Sequence, residues 1–270
     1  RGLRRADEAL ASCDRALAID VALVSAHATR AAILKDLGRL DEAVASCERA
    51  LAVDPQSAPT LSIRGAIAHD MERYEDALAD CASALAVQPN FPEALSNRGG
   101  VLNALKRYEE ALAACDQAIA LRPVFPDALY NRGIALSGLE RHAEAAVSYE
   151  RALAIAPDLP MALLSRAGAL GYLQRHAEAV ADLERALALV PGLGFAKGML
   201  LQSRLHMCDW REFERQRADV IADVRSGKRV VDQRPHRVRR ALVGDGDGVR
   251  HDARAGHDGM RRARLRHGEV

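Results

Sequence analysis

Apolar and small residues recur along this chain in a unit of 34 residues, and each unit contains two helical patterns. In the unit at 126–159, Leu129, Gly133 and Leu136 follow the spacing i, i+4, i+7, which places them on one face of a helix. A second segment, at about 142–155, has an acidic residue in its first turn, where a helix favours negative charge, and ends before a proline. The pattern therefore predicts a repeated helix–turn–helix.

The same period is carried by many independent positions. It is clearest at one proline and two alanines of each unit: Pro55, Pro89, Pro123, Pro157 and Pro191; Ala9, Ala43, Ala77, Ala111, Ala145 and Ala179; Ala16, Ala50, Ala84, Ala118, Ala152 and Ala186. One helix pair cannot bury its own apolar face, whereas stacked pairs bury a continuous core and form a superhelix with a concave groove. We therefore expect a stack of helix pairs.

The content of the unit resembles the tetratricopeptide repeat, a 34-residue helix–turn–helix with a large residue, Leu-Gly, Ala, an aromatic residue and Pro in that order. The clearest copy is Asp127-Ala-Leu-Tyr-Asn-Arg-Gly133, followed by Ala145, Tyr149, Ala152 and Pro157. The resemblance implies an all-α fold, a right-handed α-solenoid, whose groove binds segments of partner proteins.

The repeat divides the chain into an array and a different C-terminal part. We predict a partial repeat at 1–23, five full repeats at 24–57, 58–91, 92–125, 126–159 and 160–193, capping helices at 194–231 and a tail at 232–270. For the cap, Asp209 and Glu212 have the spacing of a capping box, and a second helix should run from Trp210 to about Val224. Trp210 should help to cover the apolar end of the stack, and Gly227 should end the helix.

One position of the first helix is predicted to face away from the core of the pair and into the groove. Counting 100° per residue, Asn131 lies on the side opposite the core residues of its unit. The equivalent residues are Thr29, Ile63, Asn97, Asn131 and Ser165. An amide at this position could bond the backbone of any extended peptide, whatever its sequence. The alternative is that the series forms a solvated helix face.

An arginine follows this position in every full repeat. The series is Arg30, Arg64, Arg98, Arg132 and Arg166. A guanidinium could reach carboxylates or phosphates of a ligand. The favoured interpretation is structural, because such a side chain more often lays its stem over the next repeat and pairs with a local Asp or Glu.

The cysteines and histidines, which could bind a metal or take part in catalysis, occupy positions that the repeat pattern indicates are used for packing. Cys13, Cys47, Cys81 and Cys115 occupy one repeat position, which Tyr149 and Leu183 fill in later repeats. Equivalent positions in successive repeats are separated by about 8–10 Å, too far for a disulfide. His142 and His176 share a position with tyrosines, and the His-Ala-Glu triplets lack the Pro-Cys-x-x-Cys of a zinc deaminase. We therefore expect no metal, no cofactor, no catalytic residue and no small-molecule substrate.

The charge and hydropathy of the chain limit the kinds of partner that the sequence predicts. The formal net charge is +1, but residues 232–270 hold ten Arg against five Asp and one Glu. Nucleic-acid binding is therefore expected only if the tail provides it. The sequence contains no run of 18 apolar residues, so it predicts no membrane span, and no segment has the pattern of a signal peptide. A cytoplasmic location is the expectation, with reduced cysteines.

A second resemblance begins after the repeats. Leu205-His-Met-Cys-Asp-Trp-Arg-Glu-Phe213 and Ala222-Asp-Val-Arg-Ser-Gly-Lys-Arg-Val-Val231 resemble the junction in bacterial proteins of the O-linked N-acetylglucosamine transferase (SPINDLY-like) family. There, a repeat array precedes a glycosyltransferase domain. In this chain residues 232–270 follow instead, and they contain no Lys, Ser, Thr, Asn, Ile, Phe or Tyr. They should be disordered, either as a basic arm or as the shifted reading frame of a GC-rich gene.

Two functions follow from these patterns. The first is a scaffold that binds partner peptides in the groove. The second is the substrate-recruiting arm of a glycosyltransferase whose catalytic domain is missing. In either case we expect no enzymatic activity from this chain.

Overall fold

A computed structural model describes residues 2–210 and 212–225. This part of the chain is all-helical, with thirteen helices and no strand. The helices are α1 (Gly2–Ile19), α2 (Val24–Asp36), α3 (Leu40–Val53), α4 (Ala58–Asp70), α5 (Tyr74–Val87), α6 (Pro92–Ala104), α7 (Tyr108–Leu121), α8 (Pro126–Gly138), α9 (His142–Ile155), α10 (Pro160–Tyr172), α11 (His176–Leu189), α12 (Gly194–His206) and α13 (Phe213–Arg225). The all-helical, stacked-repeat fold expected from the sequence is confirmed.

The helices form two layers. We call α2, α4, α6, α8, α10 and α12 the first helices, and α3, α5, α7, α9, α11 and α13 the second helices. Each first helix packs on the second helix of its own pair and on the one before it. Consecutive first helices also contact each other along the whole array, more closely than consecutive second helices do. The first helices therefore form the inner layer of the curved stack and line its concave side.

The two helices of a pair approach closely where a glycine faces a larger side chain. A Cβ atom added at Gly133 would lie 2.4 Å from a ring carbon of Tyr149, which is almost completely buried. A Cβ at Gly99 would lie 2.4 Å from the Sγ atom of Cys115. Because protein interiors are close-packed, the missing side chain sets the distance between the helices.

The turn inside each pair uses a left-handed residue. Gly38 has φ +73°, and the equivalent Glu72, Lys106, Glu140 and Gln174 have φ between 60° and 62°. After α6, the backbone N–H of Lys106 donates to the carbonyl of Asn103 at 3.0 Å. The next N–H donates to the carbonyl of Leu102 at 2.9 Å. These bonds satisfy the last carbonyls of the helix and offset the strain of a non-glycine residue.

Each second helix of the central array begins with an ion pair. Arg107 precedes α7, and its Nε and Nη2 atoms donate to the two carboxylate oxygens of Glu110, both at 2.7 Å. The same pairing joins Arg39 to Glu42, Arg141 to Glu144, and Arg175 to Glu178. The arginine hydrogen bond lowers the pKa of each glutamate. The pairs therefore stabilise the fold above the ordinary glutamate pKa and lose this effect as pH falls through the lowered one, but they are exposed and contribute little.

The C-terminal end differs from the expectation. Helix α13 begins at Phe213, three residues later than predicted, after a turn in which the N–H of Phe213 donates to the carbonyl of Trp210. Trp210 is 60% exposed and touches Phe213 edge-on, so it does not cover the stack. The ion pair of Lys197 with Asp223, at 2.7 Å, joins α12 to α13 instead.

The remaining parts of the predicted division are untested. Gly227 and the tail 232–270 lie outside the described residues. The domain boundaries at 23, 193 and 231 stay predictions from the repeat pattern.

The substitution Gly133→Ala tests the close approach of the helices. The added methyl group meets the ring of Tyr149, and we expect the free energy of unfolding to fall by about 1–3 kcal/mol in urea titrations. Gly168→Ala is the matched control, because the nearest atom outside its own helix, Cε of Met199, would lie at 3.6 Å, an ordinary contact. The control should gain up to about 1 kcal/mol from helix propensity. Equal stability of the two variants would contradict this packing.

Candidate partner-binding groove

The five predicted groove positions are not equivalent in the structure. Thr29 is exposed, but its hydroxyl donates to the carbonyl of Ser25 in its own helix at 2.8 Å. Ile63 packs against the core cluster that contains Leu34. Ser165 is half-buried and interacts with the hydroxyl of the buried Tyr149. These three side chains interact within the fold, which leaves Asn97 and Asn131 as the groove candidates.

The amide groups of Asn97 and Asn131 connect consecutive first helices. Asn97 Nδ2 in α6 donates to the backbone carbonyl of Ser62 in α4 at 3.1 Å and to the hydroxyl of Ser62 at 3.0 Å. Asn131 Nδ2 in α8 donates to the carbonyl of Ser96 in α6 at 3.1 Å. Within the described residues, neither Oδ1 atom accepts a hydrogen bond. The donors therefore hold the repeats together, and the acceptors stay available.

A third asparagine, which the sequence did not predict as a groove residue, bonds Asn131. Asn103 Nδ2, near the end of α6, donates to the backbone carbonyl of Asn131 at 2.8 Å. Its Oδ1 atom is buried and has no partner in the described part of the chain. Gly100 lies beside it in α6, where a Cβ atom would come within 3.3 Å of the Asn131 amide. We call Asn97, Gly100, Asn103 and Asn131 the amide cluster.

Most of the arginine series points away from the groove, towards the second helices. The Nε atoms of Arg64 and Arg166 donate to Asp80 and Asp182, at 2.8 and 2.6 Å. Arg30 bonds Asp14 and Ser46, and Arg132 bonds Asp116 and Ser148, at 2.7–3.0 Å. The structural interpretation therefore holds for these four, whereas Arg98 has no such bond in the described residues.

The aspartate partners differ in burial, because they sit at different places on their helices. Asp80 is 10% exposed and lies in the same repeat as its arginine, whereas Asp116 is 52% exposed and lies in the preceding repeat. Desolvated pairs have more effect on stability than solvated ones.

The cysteines occupy the core. Burial raises the pKa of Cys47, Cys81 and Cys115 to about 12, which keeps these thiols protonated and unreactive. Each of the five cysteines is free, and only Cys208 is exposed. His142 stacks on Tyr172 with ring centres 4.2 Å apart, so it packs as expected. The described residues contain no group of His, Cys, Asp and Glu side chains that could hold a metal.

The substitution Asp80→Ala should lower the free energy of unfolding by about 1–3 kcal/mol, because it leaves the Arg64 guanidinium without its buried carboxylate. The matched control Asp116→Ala, also in a second helix, should change it by less than about 1 kcal/mol. Urea titrations of both variants measure the difference. Equal losses would show that burial does not decide the strength of these pairs.

Thiol labelling tests the burial of the cysteines. In the native chain, one equivalent of a chromogenic disulfide reagent should react rapidly, at Cys208, and the other four thiols should react only after unfolding in guanidinium. The variant Cys208→Ser should abolish the rapid phase. Rapid labelling of more than one thiol in the native wild-type chain would show that the buried positions open.

Comparison with known proteins agrees with this architecture. The sequence pattern of the tetratricopeptide repeat matches residues 24–57 and residues 90–158. No curated protein sequence matches the chain. Within residues 2–210 and 212–225, no helix combines the length and apolar character needed to span a bilayer.

Several solved structures share the fold. TTC0263, a thermophilic TPR protein of Thermus thermophilus, is 23% identical, with a TM-score of 0.58 over 67% of this chain and 99% of its own. PilW, a type IV pilus biogenesis factor, is 20% identical, with a TM-score of 0.67 over 77% of this chain and 96% of its own. PilF of Pseudomonas aeruginosa is 19% identical, with a TM-score of 0.62 over 82% and 97%. Together with the stacked helix pairs, these matches show that the described residues have a tetratricopeptide-repeat fold, and residues 24–57 and 90–158 carry the sequence pattern of that repeat.

Proposed function

We propose that the chain binds an extended segment of a partner protein along its concave side, centred on the amide cluster between α6 and α8. Tetratricopeptide repeats generally mediate protein–protein interactions, and the cluster gives a physical basis for this role here. The observation that carries the proposal is the pair of side-chain oxygens on Asn97 and Asn131, which stay available while their NH₂ groups bond the neighbouring helix.

The spacing of the two oxygens suits an extended backbone. Equivalent residues of neighbouring first helices lie about one helix-packing distance apart, roughly 8–10 Å. An extended chain in the polyproline II conformation has three residues per turn and rises about 3.1 Å per residue, so backbone N–H groups three residues apart lie on one side, roughly 9 Å apart, and could donate to the two oxygens. Such contacts hold a peptide without reading its sequence.

The floor of the groove permits a close approach of the ligand backbone. Ala32, Ala66, Gly100 and Gly168 occupy one position of their first helices, three residues after the groove position. Ile134 is the exception in this series. Small side chains there leave room for main-chain contacts with the asparagines.

The groove becomes apolar towards α12. Met161, Phe195 and Met199 are half-buried and pack against the core cluster of the last full repeat. Methionine adapts to irregular apolar shapes. A partner segment should therefore carry apolar side chains at the end that lies over α10 and α12.

Peptides selected from a random display library on the full chain provide the test. For the tightest peptide, Asn97→Ala and Asn131→Ala should each raise the Kd about tenfold, because each removes one acceptor. Asn131→Asp should bind within about threefold of wild type, because it keeps the acceptor while losing the bond to Ser96. Ser83→Ala, on an exposed second-helix position, is the control for the outer face.

The outcome separates a groove ligand from other binding modes. If Ser83→Ala weakens binding as much as Asn131→Ala, the peptide does not lie in the groove. If Asn131→Asp loses binding together with Asn131→Ala, the inter-repeat bond matters and the acceptor does not. Thermal unfolding of each variant shows whether a loss of binding follows from a loss of folding.

The alternative is the substrate-recruiting arm of a glycosyltransferase. It rests on the junction at Leu205–Phe213, which resembles the O-linked N-acetylglucosamine transferase family, and no compared protein adds support. The two functions share the groove. Transfer of sugar from UDP-N-acetylglucosamine to a protein by the purified chain would contradict the expected lack of activity. The cytoplasmic location and the role of the tail stay predictions.

A further inference from the structure

Arg98 is the one member of the arginine series that the fold leaves without a bonded partner in the described residues. Arg30, Arg64, Arg132 and Arg166 are half-buried, and each bonds an aspartate. Arg98 is exposed, although it occupies the same position of its helix, α6. The exposure of Arg98 and its lack of a bonded partner must therefore result from the residues around it.

The residues that differ between Arg98 and the other arginines lie sixteen positions before and sixteen positions after the arginine. Arg64 has Glu48 sixteen residues before it and Asp80 sixteen residues after it, on the two second helices that flank its own. Each of the other paired arginines likewise has at least one acidic residue at these two places. Arg98 has Ala82 and Ala114. Both carboxylate positions around Arg98 are therefore occupied by a methyl group.

The arginines lie in crevices on the outer surface of the array. The crevice at Arg64 is a cavity of about 300 Å³ between α3 and α5, floored by α4, with Glu48 and Asp80 in its lining. The repeat places Arg98 in the corresponding crevice between α5 and α7. There, Leu78, Leu102 and Leu105 correspond to Val44, Ala68 and Met71 of the Arg64 crevice. The Arg98 crevice thus combines an arginine with apolar walls.

The neighbouring carboxylate of Glu110 does not satisfy Arg98. The pKa of Glu110 is lowered by its hydrogen bonds to Arg107, and the charge of Arg98 adds to this effect. Both oxygens of Glu110 are bonded to Arg107 at 2.7 Å. The guanidinium of Arg98 therefore keeps its donors for another acceptor.

We propose that the Arg98 crevice binds an acidic side chain, Asp or Glu, of a partner protein segment. The paired repeats show which group the position takes, because Arg64 and Arg166 each bond both oxygens of one carboxylate through Nε and Nη2. Such planar, two-pronged recognition is specific for carboxylate geometry. Leu78 and Leu105, which are half-buried, indicate that aliphatic side chains flank the acidic one. This site lies on the face opposite the groove and is independent of the groove ligand.

Nuclear magnetic resonance of the arginine Nε–Hε groups tests the site on the full chain. The probe is a capped pentapeptide, Gly-Leu-Glu-Leu-Gly, with the Gly-Leu-Gln-Leu-Gly peptide as its uncharged match and inorganic phosphate as the competing anion. Arg98→Lys assigns the Arg98 signal by its loss. We expect the Glu peptide to shift the Arg98 signal saturably, with no saturable shift from the Gln peptide and weaker binding of phosphate.

The substitution Ala114→Asp supplies the missing carboxylate from within the chain. It recreates the arrangement of Arg64 with Asp80 and should weaken binding of the Glu peptide about tenfold or more while Arg98 stays in place. Ala120→Asp adds the same charge at an exposed position of the same helix, α7, and should change the Kd less than about twofold.

Three results would overturn the proposal. The first is an equal shift of Arg98 by the Glu and Gln peptides, and the second is tighter binding of phosphate than of the Glu peptide. The third is unchanged affinity in Ala114→Asp. None of them depends on the groove ligand, so the test is separate from that of the proposed function.

Discussion

The structure depends on the close approach of the two helices in each pair. Where Gly133 faces Tyr149 and Gly99 faces Cys115, a single added carbon would overlap its neighbour. Since the interior has no spare volume, this contact sets the distance between the helices. A small residue recurs at this position of every full repeat, which gives successive pairs the same geometry: Ala31, Gly65, Gly99, Gly133 and Ala167. Consecutive first helices are then brought together on the inner side. The groove follows from this packing.

Polar interactions fasten the repeats on both sides of this apolar contact. On the inner side, Asn97 and Asn131 bond the preceding first helix, and on the outer side the arginine–aspartate pairs join first helices to second helices. Because each repeat touches only its neighbours, a change in one repeat has local effects. The alanines around Arg98 are such a change, since they alter one crevice while the surrounding helices keep the same arrangement.

The sequence predicted the helices well because their periodicity is strong. The second segment expected at about 142–155 is α9, His142–Ile155. The side-chain partners were harder to predict, because the arginine bonds span sixteen residues and depend on which neighbouring helix carries the carboxylate. Asn103 was missed because its position holds Lys35, His69, Ser137 and Gly171 in other repeats, which hides any pattern. Trp210 was expected to help cover the apolar end of the stack, but α13 begins only at Phe213, and the Trp210 ring is exposed.

In the function proposed above, the first helices form the surface that holds a partner segment. Hydrogen exchange of the chain with and without a saturating, selected peptide measures this directly. If the partner lies in the groove, exchange should slow in α6 and α8, which carry the amide cluster, with little change in the second helices α5, α7 and α9. Protection confined to the second helices would contradict it, because the partner would then lie on the outer face.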